Sequence, residues 1–307
     1  MDLDRASRAL YDALLGPADA DLRRAARVVI VPDGVLHGLG FAALRRPTAA
    51  GAAGAYVAQW KPVSVVPSLT VRAHLAARVA RPPAARSVAA FGDVDAANAG
   101  TSETPAAGAV RQGIVGGLAP LPGSRREAEL VAAAFAPRSV LRLGAAATEA
   151  AVKQVPRDTA ILHLATHGVV NERNPLDSAL VLSAPAAGDA DDNGLLQAWE
   201  IFEHLRVDAD LVVLSACDTG LGRAFSGEGL LGLTRAFQFA GARVVAASLW
   251  TAPDEATAHL MDAFYAELRR GTAVDQALAR AQRRLLGRPE TAHPYFWAGF
   301  VLDGDAR

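Results

Sequence analysis

Two segments decide the fold of this chain, Ile161-Leu-His-Leu-Ala-Thr-His-Gly168 and Leu211-Val-Val-Leu-Ser-Ala-Cys-Asp-Thr-Gly220. Each is an apolar run that ends in a reactive side chain and is closely followed by glycine. Such runs are typical of buried parallel strands, and ligands of open α/β sheets bind beyond the carboxyl ends of these strands. If the two strands are neighbours, His167 and Cys217 emerge side by side at that edge of the sheet.

Similar runs occur along the whole chain, and most of them are β-branched and bounded by Gly, Pro or Asp. The predicted strands are Arg27–Val31, Val63–Val66, Ser87–Phe91, Val140–Leu143, Ala160–Ala165, Leu211–Ala216, Arg243–Leu249 and Phe296–Leu302. The predicted helices are Ser124–Phe135, Leu230–Ala240, Pro253–Arg270 and Thr272–Leu286. Alternation of strands and helices predicts an α/β fold with a doubly wound sheet.

Local signals refine this organisation. Ser124 and Glu127 have the spacing of a capping box, and Thr272 is a candidate N-cap. Residues 96–123 and 184–194 are predicted to be long loops. A weak boundary near residues 81–83 divides a smaller N-terminal α/β region, residues 1–83, from a larger core, residues 84–307.

The composition excludes several classes of protein. With 51% apolar and 21% charged residues, the 307-residue chain is globular, and a net charge of −1 argues against a dedicated nucleic-acid binder. No apolar run approaches the roughly 18 residues of a membrane helix, and the acidic start lacks a signal peptide. Cys217 is the only cysteine, which fits a reducing cytosol. We therefore expect a cytoplasmic protein without a membrane or nucleic-acid partner.

A thiol beside an imidazole forms a nucleophile–base pair, because histidine helps to generate the thiolate that attacks a carbonyl. Backbone N–H groups of Gly168 and Cys217 are candidates for binding the oxyanion that develops. A cysteine at a strand end is also common as a small buried apolar residue, and a histidine near a core as a structural group. From the residues alone, both interpretations stay open.

In these motifs the chain resembles the CHAT domain, a caspase-like cysteine peptidase module in the same broad clan as caspases and separase. The family's paired motifs match His163-Leu-Ala-Thr-His-Gly168 and Leu214-Ser-Ala-Cys-Asp-Thr-Gly220. Further matches are Val31-Pro-Asp-Gly-Val-Leu-His37, Val66-Pro-Ser68, Leu121-Pro-Gly-Ser-Arg-Arg-Glu127, Gly227-Glu-Gly229, Ala240-Gly241-Ala242, Ser248-Leu-Trp250 with Asp254, and His293-Pro-Tyr-Phe-Trp297. Essentially the whole chain is covered.

The resemblance implies a caspase-like sandwich with a central, mostly parallel sheet flanked by helices. It implies a cysteine endopeptidase that cleaves a protein partner without a cofactor, with His167 as general base and Cys217 as nucleophile. His163 is then a structural member of the same strand. Family members are gated by a protein activator or sensor, which suggests a role in bacterial signalling or defence.

One position departs from related peptidases of the clan that cleave after arginine. An acid two residues before their cysteine helps to form the primary specificity pocket, whereas this chain has Ser215. A preference for a basic residue is therefore not carried over. Candidates for the substrate pocket are Ser215, Asp218, Glu228, Trp250 and Asp254.

Two other functions compete with proteolysis. A catalytically silent module would keep the CHAT fold and signal by binding, although the presence of both His167 and Cys217 favours the enzyme. The spacing Gly227-x-Gly229-x-x-Gly232 matches a dinucleotide-binding loop. That motif must directly follow a strand, and here it lies ten residues beyond Cys217.

The acidic loop matches a calcium-binding pattern through Asp189, Asp191, Asn193 and Glu200. EF-hands hold such ligands between two helices, whereas residues 178–183 here resemble a strand. We therefore expect a solvated acidic loop rather than a physiological calcium site. The paired His163 and His167 do not suggest zinc, because an extended strand separates them by about 13 Å.

Overall fold

The computed structural model describes residues 2–47, 54–78, 81–82, 85–95, 118, 120–184, 192–215, 217–218 and 228–307. For residues 217, 218 and 228 it describes the backbone alone. Most of the two predicted loops, 96–123 and 184–194, lies outside this part of the chain. The predicted domain boundary at residue 83 also lies outside it and stays a prediction.

Strands and helices alternate along the described residues. The strands are β1 Val28–Ile30, β2 Arg45–Arg46, β3 Ala55–Tyr56, β4 Val63–Val65, β5 Val88–Gly92, β6 Ser139–Leu143, β7 Ile161–Leu164, β8 His167–Val169, β9 Ala179–Val181, β10 Leu195–Gln197, β11 Leu211–Leu214, β12 Cys217–Asp218, β13 Val244–Ser248 and β14 Phe300–Gly304. The helices are α1 Leu3–Leu14, α2 Asp19–Arg24, α3 Val57–Trp60, α4 Leu69–Ala76, α5 Pro122–Ala134, α6 Glu149–Lys153, α7 Ala198–His204, α8 Glu228–Ala240, α9 Asp254–Arg269 and α10 Val274–Leu286.

A central eight-stranded sheet has the order β1-β4-β14-β13-β11-β7-β5-β6. These are the eight strands predicted from the apolar runs, and the predicted α/β class with a mostly parallel sheet is confirmed. Neighbouring strands are parallel except for β13 and β14, which pair antiparallel from Val244↔Gly304 to Ser248↔Phe300. The chain direction therefore reverses once within the sheet, which the apolar pattern does not predict.

Both faces of this sheet are covered by helices, because alternate residues of each strand pack into different cores. In β5, Val88 and Ala90 belong to a core that includes residues of α5, α9 and α10. Ala89 and Phe91 belong to a second core with residues of α6, α7 and α8. All five residues of β5 are buried, as expected for a strand between two helical layers.

A smaller sheet with the order β10-β9-β8-β12 continues two strands of the central one. β8 follows β7 after Ala165 and Thr166, and β12 follows β11 in the same manner. The hydroxyl of the buried Thr166 donates a hydrogen bond to the carbonyl of Val181 in β9. This bond links the connection between β7 and β8, where the chain passes from the central to the smaller sheet, to the neighbouring strand β9.

Helix α8 packs closely over the connection between β8 and β9. A Cβ on Gly229 would lie 2.1 Å from a methyl group of Val170, and one on Gly232 would lie 2.3 Å from the carbonyl oxygen of Pro175. Only residues without a side chain fit these positions. Gly229 and Gly232 belong to the sequence pattern that matches a dinucleotide-binding loop, and the close packing of α8 explains why both are glycine.

The predicted N-cap at Thr272 is wrong. α10 begins at Val274, and its N-cap is Ala273. The hydroxyl of Thr272 instead donates to a carboxylate oxygen of Glu267, 3.0 Å away in the last turn of α9. Among the described residues, no helix is both long and apolar enough to cross a membrane.

Candidate active site

The paired strands β8 and β12 bring the two motif segments together. They are parallel, and the Cα partners are His167↔Cys217 and Gly168↔Asp218. Neighbouring strands lie about 4.8 Å apart. In β7 and β11, as in β8 and β12, each residue is paired with the residue 50 positions further along the chain, beginning with Ile161↔Leu211. The two strands therefore leave the central sheet together and keep their register.

His167 has 5% of its surface exposed and therefore lies almost entirely within the protein. Gly168, the candidate oxyanion donor, lies between two strands, with Leu180 of β9 on one side and Asp218 of β12 on the other. For Cys217 and Asp218, the register of the backbone is what the structure describes. Glu228 is the first residue of α8, and again only its backbone is described.

His163 lies on β7, four residues before His167, and is fully buried. Its Nδ1 is 2.9 Å from the hydroxyl oxygen of Tyr265, and its Nε2 is 3.3 Å from Oε1 of Glu127. The second contact is close enough for an ion pair but is not aligned as a hydrogen bond. Burial, together with the charge of Glu127, raises the pKa of Tyr265 well above its usual value.

Glu127 is a residue of the site that the sequence interpretation missed. The predicted capping box with Ser124 is wrong, because α5 begins at Pro122 and the Ser124 hydroxyl donates to the carbonyl of Leu121 at 2.7 Å. The buried Glu127 side chain turns inward to His163 instead. A buried carboxylate next to a buried histidine could have been predicted only from their contact.

Glu127 also lines a small cavity close to the two motif segments. The cavity is lined by Leu121, Gly123, Ser124, Glu127, Ser215, Asp254 and Thr257. Ser215 precedes Cys217 by two residues, and its backbone N–H donates to the carbonyl of Leu164 at 3.0 Å. Two of the five predicted pocket residues, Ser215 and Asp254, thus line one cavity.

Asp254 is the first residue of α9 and is partly exposed. Its Oδ2 accepts a hydrogen bond from the backbone N–H of Gly123 at 3.2 Å, which links the beginnings of α5 and α9. A Cβ on Gly123 would approach Asp254 to 3.1 Å, so glycine keeps this contact short. The described residues that line the cavity include two carboxylates, those of Glu127 and Asp254, and no basic side chain.

Trp250 is held away from this cavity. Its Nε1 donates to the carbonyl of Tyr295 at 2.9 Å, and its ring packs over Gly40 and Gly299. The contacts of its ring and its indole N–H therefore indicate a structural role in joining three parts of the chain.

Glu200 of α7, one of the four residues that match the calcium-binding pattern, is already engaged. Its Oε1 lies 2.9 Å from the ammonium of Lys153, and its Oε2 accepts from the backbone N–H of Gln197 at 2.8 Å. A carboxylate oxygen of the fully buried Glu149 lies 2.5 Å from the same ammonium. Burial of Glu149 and, to a smaller extent, its hydrogen bond with Glu200 raise the pKa of Glu149 to about 9.

Asn193, another residue of that pattern, accepts a hydrogen bond at its Oδ1 from the backbone N–H of Leu195 at 2.8 Å, which gives it a structural role in the loop. Asp189 and Asp191 lie outside the described residues. Within the part of the chain that the structure describes, no group of three or more His, Cys, Asp or Glu side chains is arranged to hold a metal ion.

Comparisons with solved structures give distant likenesses. The chain is similar to separase in the Saccharomyces cerevisiae separase–securin complex, with 11% identity, a TM-score of 0.46, and 80% of this chain and 14% of that chain covered. It is also similar to the Arg-specific cysteine proteinase gingipain R, with 9% identity, a TM-score of 0.47, and 80% and 55% covered.

Curated relatives cover nearly the whole chain. Tetratricopeptide repeat protein 28 of Mus musculus is 28% identical over 334 residues, and that of Homo sapiens is 27% identical over 338 residues. Each alignment covers 97% of this chain and 13% of the relative. A family model described as the CHAT domain matches residues 4–305. The chain belongs to the CHAT domain family.

Proposed function

We propose that this chain is a cysteine endopeptidase in which His167 is the general base and Cys217 the nucleophile. The observation that supports this most directly is the ladder of β8 and β12, in which these two residues are partners. A nucleophile and its base must come within hydrogen-bond reach, and partners on neighbouring strands begin about 4.8 Å apart at the backbone.

The imidazole of His167 takes the thiol proton of Cys217, and the thiolate attacks the scissile carbonyl carbon of a peptide. The carbonyl oxygen becomes an oxyanion, for which the backbone N–H groups of Gly168 and Cys217 are the proposed donors. When the tetrahedral intermediate collapses, the C–N bond breaks and the imidazolium gives its proton to the leaving amine. Water then hydrolyses the thioester and regenerates the thiol, with His167 again as base.

We further propose that the cavity beside Ser215 receives the side chain that precedes the scissile bond, and that it prefers lysine or arginine. Glu127 and Asp254 give it a negative charge, and none of the other described residues that line it is basic. Ser215 lies two residues before Cys217, and two residues of extended chain span about 7 Å. This distance is comparable to the length of a lysine or arginine side chain, so such a side chain could reach the cavity from a scissile bond at Cys217. The acid that is missing at Ser215 would thus be replaced by acids from α5 and α9.

The substrate is a protein, and we propose that a protein activator switches the enzyme on. The curated relatives are named as tetratricopeptide repeat proteins, and this chain corresponds to 13% of their length. A shift between inactive and active conformations needs only a few kcal/mol of differential binding. We expect little cleavage of unfolded casein by the chain alone, and high activity there would contradict gating but not proteolysis.

The decisive experiment exposes a cytosolic proteome to the chain under reducing conditions and maps new N-termini. Cys217→Ala is the matched control, since it removes the nucleophile and little volume. New termini that depend on Cys217 and follow lysine or arginine support the whole proposal, whereas termini that follow other residues support proteolysis alone. If no termini form and the Cys217 thiol is as reactive in His167→Ala as in the parent, the chain is instead a silent interaction module.

A further inference from the structure

At the opposite edge of the central sheet, where β5, β7, β11 and β13 begin, lies a second small cavity. Arg86 is two residues before β5, Asp210 directly precedes β11, and Arg243 directly precedes β13. The lining residues are Arg86, Ile161, Asp210, Leu211, Arg243, Leu268, Ala273, Val274 and Arg307. Of the described residues around it, three arginines and one aspartate are charged.

Arg86 has 8% of its surface exposed, which is unusual for an arginine without an ion-pair partner. Its Nη1 donates to the carbonyl of Leu268 at 3.0 Å, near the end of α9. Its Nε is buried and has no hydrogen-bond partner within the part of the chain that the structure describes. Among the described residues, no carboxylate lies within 4.0 Å of this guanidinium.

The Asp210 carboxylate lies more than 4.0 Å from this guanidinium, and it is shared with Arg81, whose backbone N–H donates to it at 3.1 Å and whose guanidinium lies 3.9 Å away. Burial lowers the pKa of Arg86, and the nearby charge of Asp210 offsets only part of that effect. An arginine remains protonated in a folded protein despite such a shift, so the buried charge persists.

Arg243 is still more buried, with 4% exposed. Its Nε donates to the backbone carbonyl of Asp305 at 2.9 Å, and its Nη2 donates to the carbonyl of Arg307. The Asp305 carboxylate is 3.9 Å from that Nε, and it accepts two bonds from Arg307 at 2.7 and 3.1 Å. The acid nearest to Arg243 is therefore already paired with another arginine.

The charges of the surrounding network do not balance. The remaining ion pairs join Arg27 to Asp275 at 2.8 Å, and Arg78 and Arg81 to Asp208. Among the described residues, six arginine side chains therefore face four aspartates, with Asp210 and Asp305 included. The difference is two positive charges; Arg86 has no carboxylate within 4.0 Å, and Arg243 shares the Asp305 carboxylate, 3.9 Å away, with Arg307. A buried charge that is not fully compensated is costly, so these two guanidinium groups indicate a bound anion.

The beginning of α10 adds to this positive field. Ala273 and Val274, its N-cap and first residue, line the cavity, and the helix is 13 residues long. The first N–H groups of a helix carry partial positive charge. In α10, those of Asp275 and Gln276 already donate, to the carbonyl of Ala306 at 3.0 Å and to Oδ1 of Asp275 at 2.7 Å, so the helix contributes mainly through its dipole. Asp275, the acid of this first turn, is bound to Arg27.

We propose that this cavity binds a small tetrahedral dianion of the phosphate class. The guanidinium groups of Arg86 and Arg243 hold two of its oxygens, and the positive end of the α10 dipole favours its charge. Planar guanidinium groups match the oxygen spacing of such anions, and two charges balance the excess. The bound anion connects the beginnings of β5, β13 and α10, and so stabilises the edge opposite the candidate active site.

The test uses the full chain in buffer without phosphate and at constant ionic strength kept with sodium chloride. Inorganic phosphate is titrated by calorimetry, and thermal unfolding is followed in parallel. We expect saturable binding to one site and a rise in Tm of about 3 °C at a phosphate concentration roughly ten times Kd. The Arg86→Met variant loses both effects, whereas the exposed control Arg142→Met keeps them.

The direction in which Arg86→Met changes the Tm in the absence of phosphate distinguishes an anion-binding role of Arg86 from a structural one. If Arg86 is an uncompensated charge, Arg86→Met has a Tm equal to or above that of the parent in chloride alone. A lower Tm in chloride together with an unchanged phosphate response would overturn the proposal, as would an equal response of the parent to chloride and phosphate. If Arg86→Met does not fold, the Arg86→Lys variant provides the test. We expect it to bind phosphate about tenfold more weakly than the parent, and unchanged binding would contradict the proposal. None of these readouts depends on proteolysis.

Discussion

The backbone of His167 lies opposite that of Cys217, on neighbouring parallel strands that have just left the central sheet. The register of β7 and β11 continues without a shift into β8 and β12. All residues of β7 and β11 are buried, and alternate residues pack into the two cores on opposite faces of the sheet. A slip of one residue would move every side chain of the strand to the other core. The central sheet thereby determines which residues of the two motifs meet.

We expect the thiol of Cys217 to depend on His167 for its reactivity. A thiol without a base is mostly protonated at neutral pH, so iodoacetamide should label the parent at least tenfold faster than His167→Ala. Rates are measured by mass spectrometry across pH 5 to 9. His204→Ala changes an exposed histidine and serves as the control. Equal rates in the parent and in His167→Ala would contradict the proposed pair.

The substitution Asp254→Asn should remove much of the proposed preference for a basic residue. It keeps the size of the side chain and an oxygen for the N–H of Gly123, but it removes a charge from the cavity. A hydrogen bond to a charged group contributes about 1.5–3 kcal/mol, so kcat/KM for arginine peptides should fall about 10- to 100-fold.

Matched peptides with leucine at the same position provide the control and should lose little. Glu255→Gln, an exposed neighbour on α9, should leave both rates unchanged. A parallel loss for both peptides in Asp254→Asn would show that Asp254 supports the fold of the site rather than its selectivity.

Calcium should not bind the acidic loop tightly. Both carboxylate oxygens of Glu200 are engaged, one by Lys153 and one by the N–H of Gln197, so the ion would have to displace an ammonium group. We expect calorimetric titration to give a Kd weaker than about 100 μM, as in extracellular calcium modules. A low-micromolar Kd that disappears in Glu200→Gln would contradict this and indicate calcium-dependent regulation.

Asp303 should lower the stability of the protein at neutral pH. Burial raises its pKa to about 6, although Gln238 and Thr234 donate hydrogen bonds to it at 3.1 and 3.3 Å. The folded state then binds the proton more tightly than the unfolded state. Stability therefore falls as pH rises from about 4 to 6, and the full penalty, at most about 3 kcal/mol, is present above pH 6.

The variant Asp303→Asn should therefore raise the free energy of unfolding at pH 7.5, and the gain should fade as the pH approaches 4. Asparagine can still accept from Gln238, and its amide can donate to the Thr234 hydroxyl, which itself reaches the carbonyl of Leu231 at 3.2 Å. Denaturant unfolding at several pH values measures this, with the exposed Asp12→Asn as control. Destabilisation at pH 7.5 would show that the charged form is favoured in the fold.

The sequence by itself determined the eight strands of the central sheet and the two segments that carry His167 and Cys217. Buried strands need continuous β-branched and aliphatic runs, and these are visible without any contact information. The family motifs are equally local, since each lies on one strand and the turn after it.

Only the tertiary structure decided which distant residues surround that site. The cavity combines Glu127 of α5, Ser215 after β11 and Asp254 of α9, and no local pattern connects three elements so far apart in sequence. The local signal even misled at Glu127, because the contact of its carboxylate with the buried His163 outweighed the capping that its spacing suggested. The burial of Arg86 and Arg243 at the opposite edge likewise arises from packing, since a net charge of −1 gives no sign of it. Short-range backbone preferences determine the strands, whereas long-range burial determines the charge and the pocket.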